Sequence, residues 1–241
     1  TDRTWAICEE VARQDSRFII HRHEHNIGAA GNFEWLFRNT SSDLFLWLGA
    51  HDKLAPDYLE RAVSGLTENP DAALCFSDTL MIGEDGRELG PKHGGSYHLV
   101  HGEPDERYRR VFSRIGPCEP INNLFRRSAL EGVAFPRVAS SDRMILCWAA
   151  FHGNFVKIPG ALYIRRQLET REKGSRARLV RVTGQANAKV SRRATIVEFQ
   201  RQYAQLDPTL YGRLAFACRL YSRFSRYILK DVLKSIGLKR N

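Results

Sequence analysis

No run of about 18 apolar residues occurs in the chain, which argues against a membrane-spanning helix. No signal-peptide pattern opens it, and the first residue is Thr1 rather than Met, which points to a fragment or a processed chain. Cys8, Cys75, Cys118, Cys147 and Cys218 are odd in number, scattered and without a C-x-x-C spacing. That argues against a disulfide framework and a cysteine zinc site, and for a reducing compartment. G-x-G-x-x-G, the P-loop and G-x-S-x-G are also missing, so dinucleotide, kinase-like and serine-hydrolase readings have no support. There is no internal repeat, no low-complexity tract and no evident Cys/His nucleophile pair.

What is present describes a globular protein. The 241 residues are 43% hydrophobic and 27% charged, enough for one large domain or a domain with an appendage. The net charge of +10 is unevenly spread. Residues 1–164 hold 18 Lys and Arg against 22 Asp and Glu, a net of −4, and residues 165–241 hold 19 against 5, a net of +14. A mildly acidic body with a basic C-terminal third points to an anionic partner for the tail: a membrane surface, a nucleic acid or a phosphorylated ligand. The bland alternative is a solvated basic helix face.

Along the chain, residues 4–13 read as a helix and Arg17 to His21 as a short strand. A Gly/Asn-rich turn at His25 to Asn32 leads into a helix carrying Phe33, Leu36 and Phe37. Asp43 to Leu48 is apolar after its first residue and reads as a strand buried on both faces. Pro56 opens a helix to about Leu66, and Ala73 to Phe76 is the next strand. Glu84-Asp85-Gly86-Arg87 is a hairpin-type turn, and residues 88–104 read as a loop. A helix over 105–115, a strand from Ile121 to Phe125, a helix from Asp142 to His152 ended by Gly153, and strands at 155–158 and 162–164 follow. From Arg165 the chain is basic and largely helical, with a break near Asp207-Pro208. The alternation predicts an α/β class with a mostly parallel sheet flanked by helices.

Three places can carry chemistry. Gly49-Ala50-His51-Asp52 follows a buried strand, where open α/β sheets bind ligands. Asp52 there can hold a divalent cation on a diphosphate, or cap the helix that opens near Pro56. Asp142, in Ala139-Ser140-Ser141-Asp142-Arg143, stands at a predicted helix start. It is either a general base or an N-cap. The turn with Asn26, Gly28 and Asn32 allows close approach of backbone to phosphate, or is a plain turn. His21, His23 and His25 alternate but have no carboxylate or cysteine at ligand spacing, and read as a surface cluster.

Taken in order, Asp2-x-Thr4, Asp15 to Phe18, Asn26-x-Gly28, Asn32-Phe33, Asp43 to Leu48, His51-Asp52, Pro56 to Leu59 and Pro70-Asp71 resemble a family 2 glycosyltransferase. Asn123 to Leu130, Ser141 to Arg143, Gly153 to Phe155, Ile158-Pro159 and Leu162 to Arg166 extend the likeness over about residues 1–166. The resemblance implies an A-type, nucleotide-diphospho-sugar transferase fold in 1–166, followed by a basic helical region in 167–241. It implies transfer of a sugar, with inversion, from a nucleotide-diphosphate donor to a glycan or lipid-linked acceptor. It makes Asp52 a ligand of Mn2+ or Mg2+, with His51 in place of the first acid of the family's Asp-Asp pair, and Asp142 the catalytic base, preceded by Ser141 where Glu is common. Asn26, Gly28, Asn32, His51, Arg165 and Arg166 fall on the nucleotide-sugar side. The family begins with a strand, a Pro-Thr-x-Asn-like turn, a helix and a second strand bearing an Asp; this sequence starts at what looks like the stretch after them.

On a helical wheel of residues 210–236, Arg219, Arg223, Arg226, Lys230 and Lys234 fall within roughly an 80° arc. Leu214, Ala217, Tyr221, Phe224, Ile228, Val232 and Ile236 fall on the other side. This is either a helix lying on anionic lipid, which implies a cytoplasmic protein peripheral to the membrane, or a helix packed on the domain. Two rival readings complete the set. His51 and the missing first strands fit a non-catalytic sugar- or nucleotide-binding relative. The basic tail fits nucleic-acid binding, although its aromatics lie on one apolar face rather than interleaved for stacking.

Overall fold

A computed structural model describes residues 3–92, 102–113, 119–160, 162–168, 184, 192–207, 209, 212–222 and 225. Short strands and amphipathic helices alternate along it. The helices are α1 (Thr4–Gln14), α2 (Gly28–Arg38), α3 (Tyr58–Glu68), α4 (Pro104–Ser113), α5 (Ser141–His152), α6 (Arg192–Leu206) and α7 (212–222). The strands are β1 (Leu44–Phe45), β2 (Lys53–Leu54), β3 (Ala72–Phe76), β4 (Thr79–Ile82), β5 (Glu88–Lys92), β6 (Leu124–Arg126), β7 (Asn154–Lys157) and β8 (Tyr163–Arg166).

The strands form two four-stranded sheets, in the orders β1-β6-β3-β7 and β2-β8-β4-β5. The α/β class is as expected, but the pairing is mixed rather than mostly parallel. Only β3 with β7 and β4 with β8 run parallel; the other four pairs are antiparallel. A continuously apolar strand records burial on both faces and not the direction of its neighbour, so composition could not tell these pairings apart. The sheets meet at a seam. Ile158 N–H donates to the Phe76 carbonyl at 2.9 Å, and Asp78 N–H to the Gly160 carbonyl at 3.1 Å.

Strand β3 is buried along its whole length. Ala72 and Cys75 face one core, built on the Tyr58, Ala62 and Leu66 stripe of α3. Leu74 and Phe76 face the larger core with Tyr108 and Phe112 of α4 and the apolar run of α5. The spacing of the α3 stripe is that of one helix face. Helix α5 is buried from Met144 to Ala150. Its terminal carbonyls are captured by α4, where Arg107 donates to Ala150 O at 2.7 Å and Phe151 O at 2.8 Å. Phe199 and Tyr203 of α6 and Phe216 and Leu220 of α7 belong to the same large core.

Several expected elements change. Residues 17–21 form no strand: Ile19 is 90% exposed and Phe18 more than half exposed. A strand needs a neighbour for its N–H and C=O groups, and no described residue pairs with this stretch. Nearby, His21 stacks on Trp35 at 4.1 Å with His23 edge-on to the same indole. The part of the expected loop at 88–92 is strand β5, because the Glu84-Asp85-Gly86-Arg87 turn folds it back on β4. Gly153 ends α5 with extended backbone, φ −175°, rather than in a left-handed cap. On α7 the wheel's apolar side is only part of the picture. Phe216 and Leu220 are the buried residues, while Leu214 and Tyr221 stay more than half exposed. The rest of the wheel, at 223–224 and 226–236, lies outside the described residues.

Gly153 marks the tightest approach of helix to sheet. A Cβ there would stand 2.6 Å from Asp71 O and 2.7 Å from Ala73 N, both backbone atoms that anchor β3 beside β7. Gly153→Ala is expected to cost about 3 kcal/mol, the upper end for an overpacked core. Urea unfolding measures this, and an unchanged midpoint would show that the strand ends are not so closely joined.

Candidate active site

The turn after β1 is shaped by one carboxylate. Asp52 N–H donates to the Gly49 carbonyl at 2.9 Å, and the side chain folds back over the turn. A Cβ on residue 49 would lie 2.6 Å from Asp52 Oδ2, so glycine is required there for want of space. The carboxylate is only 3% exposed, and both its oxygens are engaged. Tyr163 Oη donates to Oδ2 at 2.6 Å, and the Arg166 backbone N–H donates to Oδ1 at 3.1 Å. His51 Nε2 stands 3.7 Å from Oδ1 and is itself 35% exposed. Burial, and then the bond to Asp52, hold the Tyr163 phenol far above its ordinary pKa, so it remains a donor.

A buried polar chain continues from this point. Tyr163 N–H donates to Ser77 Oγ at 3.2 Å, and Ser77 Oγ donates to the Asp78 carbonyl at 2.8 Å. Ser77 N–H donates to Asn123 Oδ1 at 3.3 Å, and Tyr58 Oη donates to the same oxygen at 2.9 Å. Beyond the ends of the parallel pair β3 and β7, Lys157 Nζ pairs with Asp78 Oδ1 at 2.7 Å. From sequence, Gly49 entered only as the start of the Gly49–Asp52 turn and Tyr58, Asn123 and Tyr163 only within the runs that carry the resemblance, while Ser77 and Asp78 were not singled out. The one available signal was that a tyrosine on a buried strand needs a partner for its hydroxyl.

The other expected residues stand apart from this cluster. Asn26 Oδ1 accepts from Gly28 N–H at 2.8 Å, and Gly28 has φ +73°, a conformation that favours glycine. Both residues thus have a role in the turn that starts α2. Gly184 packs against it: a Cβ there would be 2.5 Å from Asn26 O. Asn32 is exposed on α2. Asp142 is the second residue of α5 and not its N-cap, a position held by Ser140 in the left-handed region at φ +68°. The Asp142 carboxylate accepts from the Arg143 N–H at 2.8 Å and is partly exposed. Among the described residues, no hydrogen bond or ion pair joins Asn26, Gly28, Asn32 or Asp142 to Asp52.

The basic pair divides. Arg166 Nη1 donates to the carbonyls of Gly83 at 3.0 Å and Glu84 at 2.8 Å, closing the β4–β5 hairpin. Side chains alternate along a strand, which puts Arg165 on the face of Tyr163. Arg165 is partly exposed, and its charge is felt by the Tyr163 phenol.

These residues do not fit the divalent cation that the acidic turn implied. Each Asp52 oxygen already accepts a hydrogen bond within a side chain only 3% exposed, and Asp57 rather than Asp52 holds the N-cap position of α3. Among the described residues, no three His, Cys, Asp or Glu side chains come together as a metal group. A manganese or magnesium site requires oxygen ligands near 2.1 Å with room for waters. Burial pushes the Cys75 thiol up to about 12, so it is not a nucleophile for this site.

Two mixed sheets covered by helices, with polar side chains gathered at strand ends, make this an α/β domain. The sequence pattern of Glycosyl transferase family 2 matches residues 1–133, and the chain belongs to that family. Asp142, Arg165 and Arg166 lie beyond the match. The crystal structure of S. aureus TarS 1-349 superposes with a TM-score of 0.58 at 14% identity, over 94% of this chain and 61% of that one. The crystal structure of S. aureus TarS 1-349 in complex with UDP-GlcNAc gives 0.60 at 14%, over 99% and 64%. The chain therefore spans less than two thirds of either structure, and the shared feature is the A-type glycosyltransferase fold. No curated protein matches the sequence. No described helix is long and apolar enough to cross a membrane.

Tyr163→Phe tests the turn directly. It removes the donor to Oδ2 and leaves a buried carboxylate short of a partner, at an expected cost of about 1–3 kcal/mol. Chemical unfolding reads the loss; wild-type stability in the variant would mean that the phenol does not compensate the charge.

Proposed function

We propose that this chain is a glycosyltransferase that moves a sugar from a nucleotide-diphosphate donor to a hydroxyl of a glycan or lipid-linked acceptor, with inversion. The observation that carries the reading is the family match over residues 1–133, on a fold shared with a structure solved with UDP-GlcNAc. Asp142 is the general base. It takes the acceptor proton as the acceptor oxygen bonds to the sugar's anomeric carbon and the bond to the donor phosphate breaks. The nucleoside diphosphate leaves with the electron pair. Support comes from the placement of Asp142: its carboxylate is partly exposed at the first turn of α5, after a left-handed Ser140. A strained residue beside a half-open carboxylate is a common companion of function. Leu214 and Tyr221, exposed on α7 near Arg213 and Arg219, support contact with an anionic membrane as the route to a lipid-linked acceptor.

The test is Asp142→Asn. Release of nucleoside diphosphate in the presence of acceptor is expected to fall by roughly 10²- to 10⁴-fold, while donor affinity changes little. Transfer at the wild-type rate in this variant overturns the assignment of the base. A chain that binds donor and never turns it over, with or without Asp142, is a non-catalytic relative.

A further inference from the structure

The turn expected to hold a metal is built as something else. Asp52 has its two carboxylate oxygens on Tyr163 Oη at 2.6 Å and Arg166 N at 3.1 Å, and its side chain is 3% exposed. A cation reaching 2.1 Å from Oδ2 would compete with the Tyr163 phenol, which holds that oxygen at 2.6 Å inside an almost fully buried side chain. What the turn leaves open to solvent is positive charge or neutral donors. His51 is 35% exposed at the outer edge of the carboxylate. Arg165 lies on the same face of β8 as Tyr163 and is partly exposed, and among the described residues its guanidinium has no hydrogen-bond or ion-pair partner. Of the neighbouring cations, Arg166 Nη1 is on two carbonyls and Lys157 is on Asp78, while Lys53 next to Asp52 is exposed.

We propose that this chain binds its nucleoside diphosphate without a divalent cation: Asp52 is a structural lock between the β1–β2 turn and β8, and Arg165 of β8, with His51 on the turn that β8 holds, supplies the charge that meets the diphosphate. The inference rests on the donor reading above. A guanidinium suits the role, because its planar fork can donate two parallel hydrogen bonds to phosphate oxygens and it is charged at any working pH. Asp52 then acts through Tyr163 and the β8 backbone: it is a positioning residue that holds the strand carrying Arg165 in register with the turn carrying His51.

The experiment is calorimetric titration of the 241-residue chain with UDP, GDP, CDP and dTDP, each in EDTA and again with excess MnCl2. One nucleotide is expected to bind with affinities that agree within about threefold in the two conditions, and Arg165→Ala to weaken it by about tenfold, the scale of one charge-assisted contact. Asp52→Asn is expected to lower Tm by about 5 °C, because an amide cannot accept both bonds, and to create or remove no manganese dependence. Manganese that tightens nucleotide binding tenfold in the wild type, an effect abolished by Asp52→Asn, overturns the proposal. So does unaltered binding by Arg165→Ala. Should Asp52→Asn not fold, electron paramagnetic resonance of Mn2+ with the wild-type chain alone decides: loss of one equivalent of the free-ion signal overturns the lock, and an undiminished signal supports it. Binding of none of the four nucleotides in either condition overturns the donor reading itself, an outcome distinct from manganese-dependent binding.

Discussion

Asp52 is a charged group taken almost wholly out of water, and the local architecture follows from that. A buried carboxylate is tolerable only if donors replace its hydration. Here the donors are Tyr163 Oη and the Arg166 amide, both on β8, more than a hundred residues along the chain. Satisfying one carboxylate therefore fixes the β1–β2 turn to the second sheet. The same strand reaches Ser77 through the Tyr163 amide, and Ser77 reaches Asn123 and Tyr58. A continuous polar chain thus runs along the seam between the sheets, with apolar cores on either side of β3. Because every member depends on a neighbour, a change at one end is felt at the other.

The arginines of the domain show how its charge is divided. Arg107 captures the carbonyls at the end of α5, and Arg126 donates to Leu66 O at 2.9 Å and Ala72 O at 3.1 Å. Arg127 lies over the Phe37 ring at 4.3 Å. Arg166 closes the β4–β5 hairpin. These guanidinium groups stitch loops to helices and strands, which sequence alone would count as surface charge. Arg165 has no such bond among the described residues, although it stands next to Arg166 in the chain. Alternation along β8 separates their fates.

Much of the secondary structure could be read from local pattern. The apolar run at Ala73 to Phe76, the stripe of α3 and the Asp142 to His152 helix follow from periodicity, and each lies close to its expected bounds. The misreadings share one cause. Residues 17–21 have the composition of a strand but no described partner, and residues 88–92 have the composition of a loop but a ready partner in β4. Strand formation is decided by the neighbour that accepts the hydrogen bonds, and that neighbour is not encoded nearby. In the candidate site, the rule that ligands gather beyond strand ends led to His51 and Asp52. It could not reveal that Asp52 was already occupied, because Tyr163 and Arg166 arrive from elsewhere in the chain.

The order of elements, the helix faces, the uneven charge and the ordered set of residues that marks family 2 were determined by the sequence itself, since each depends on residues near one another in the chain. Which strands run parallel, whether a carboxylate is open or locked, and which of two adjacent arginines is unengaged were decided only by the tertiary structure. Those properties belong to pairs of groups far apart in the chain, as Arg166 meets Glu84 across 82 residues and Asp52 across 114. Chain closure over such distances is set by the packing of the whole sheet, and no local pattern records it.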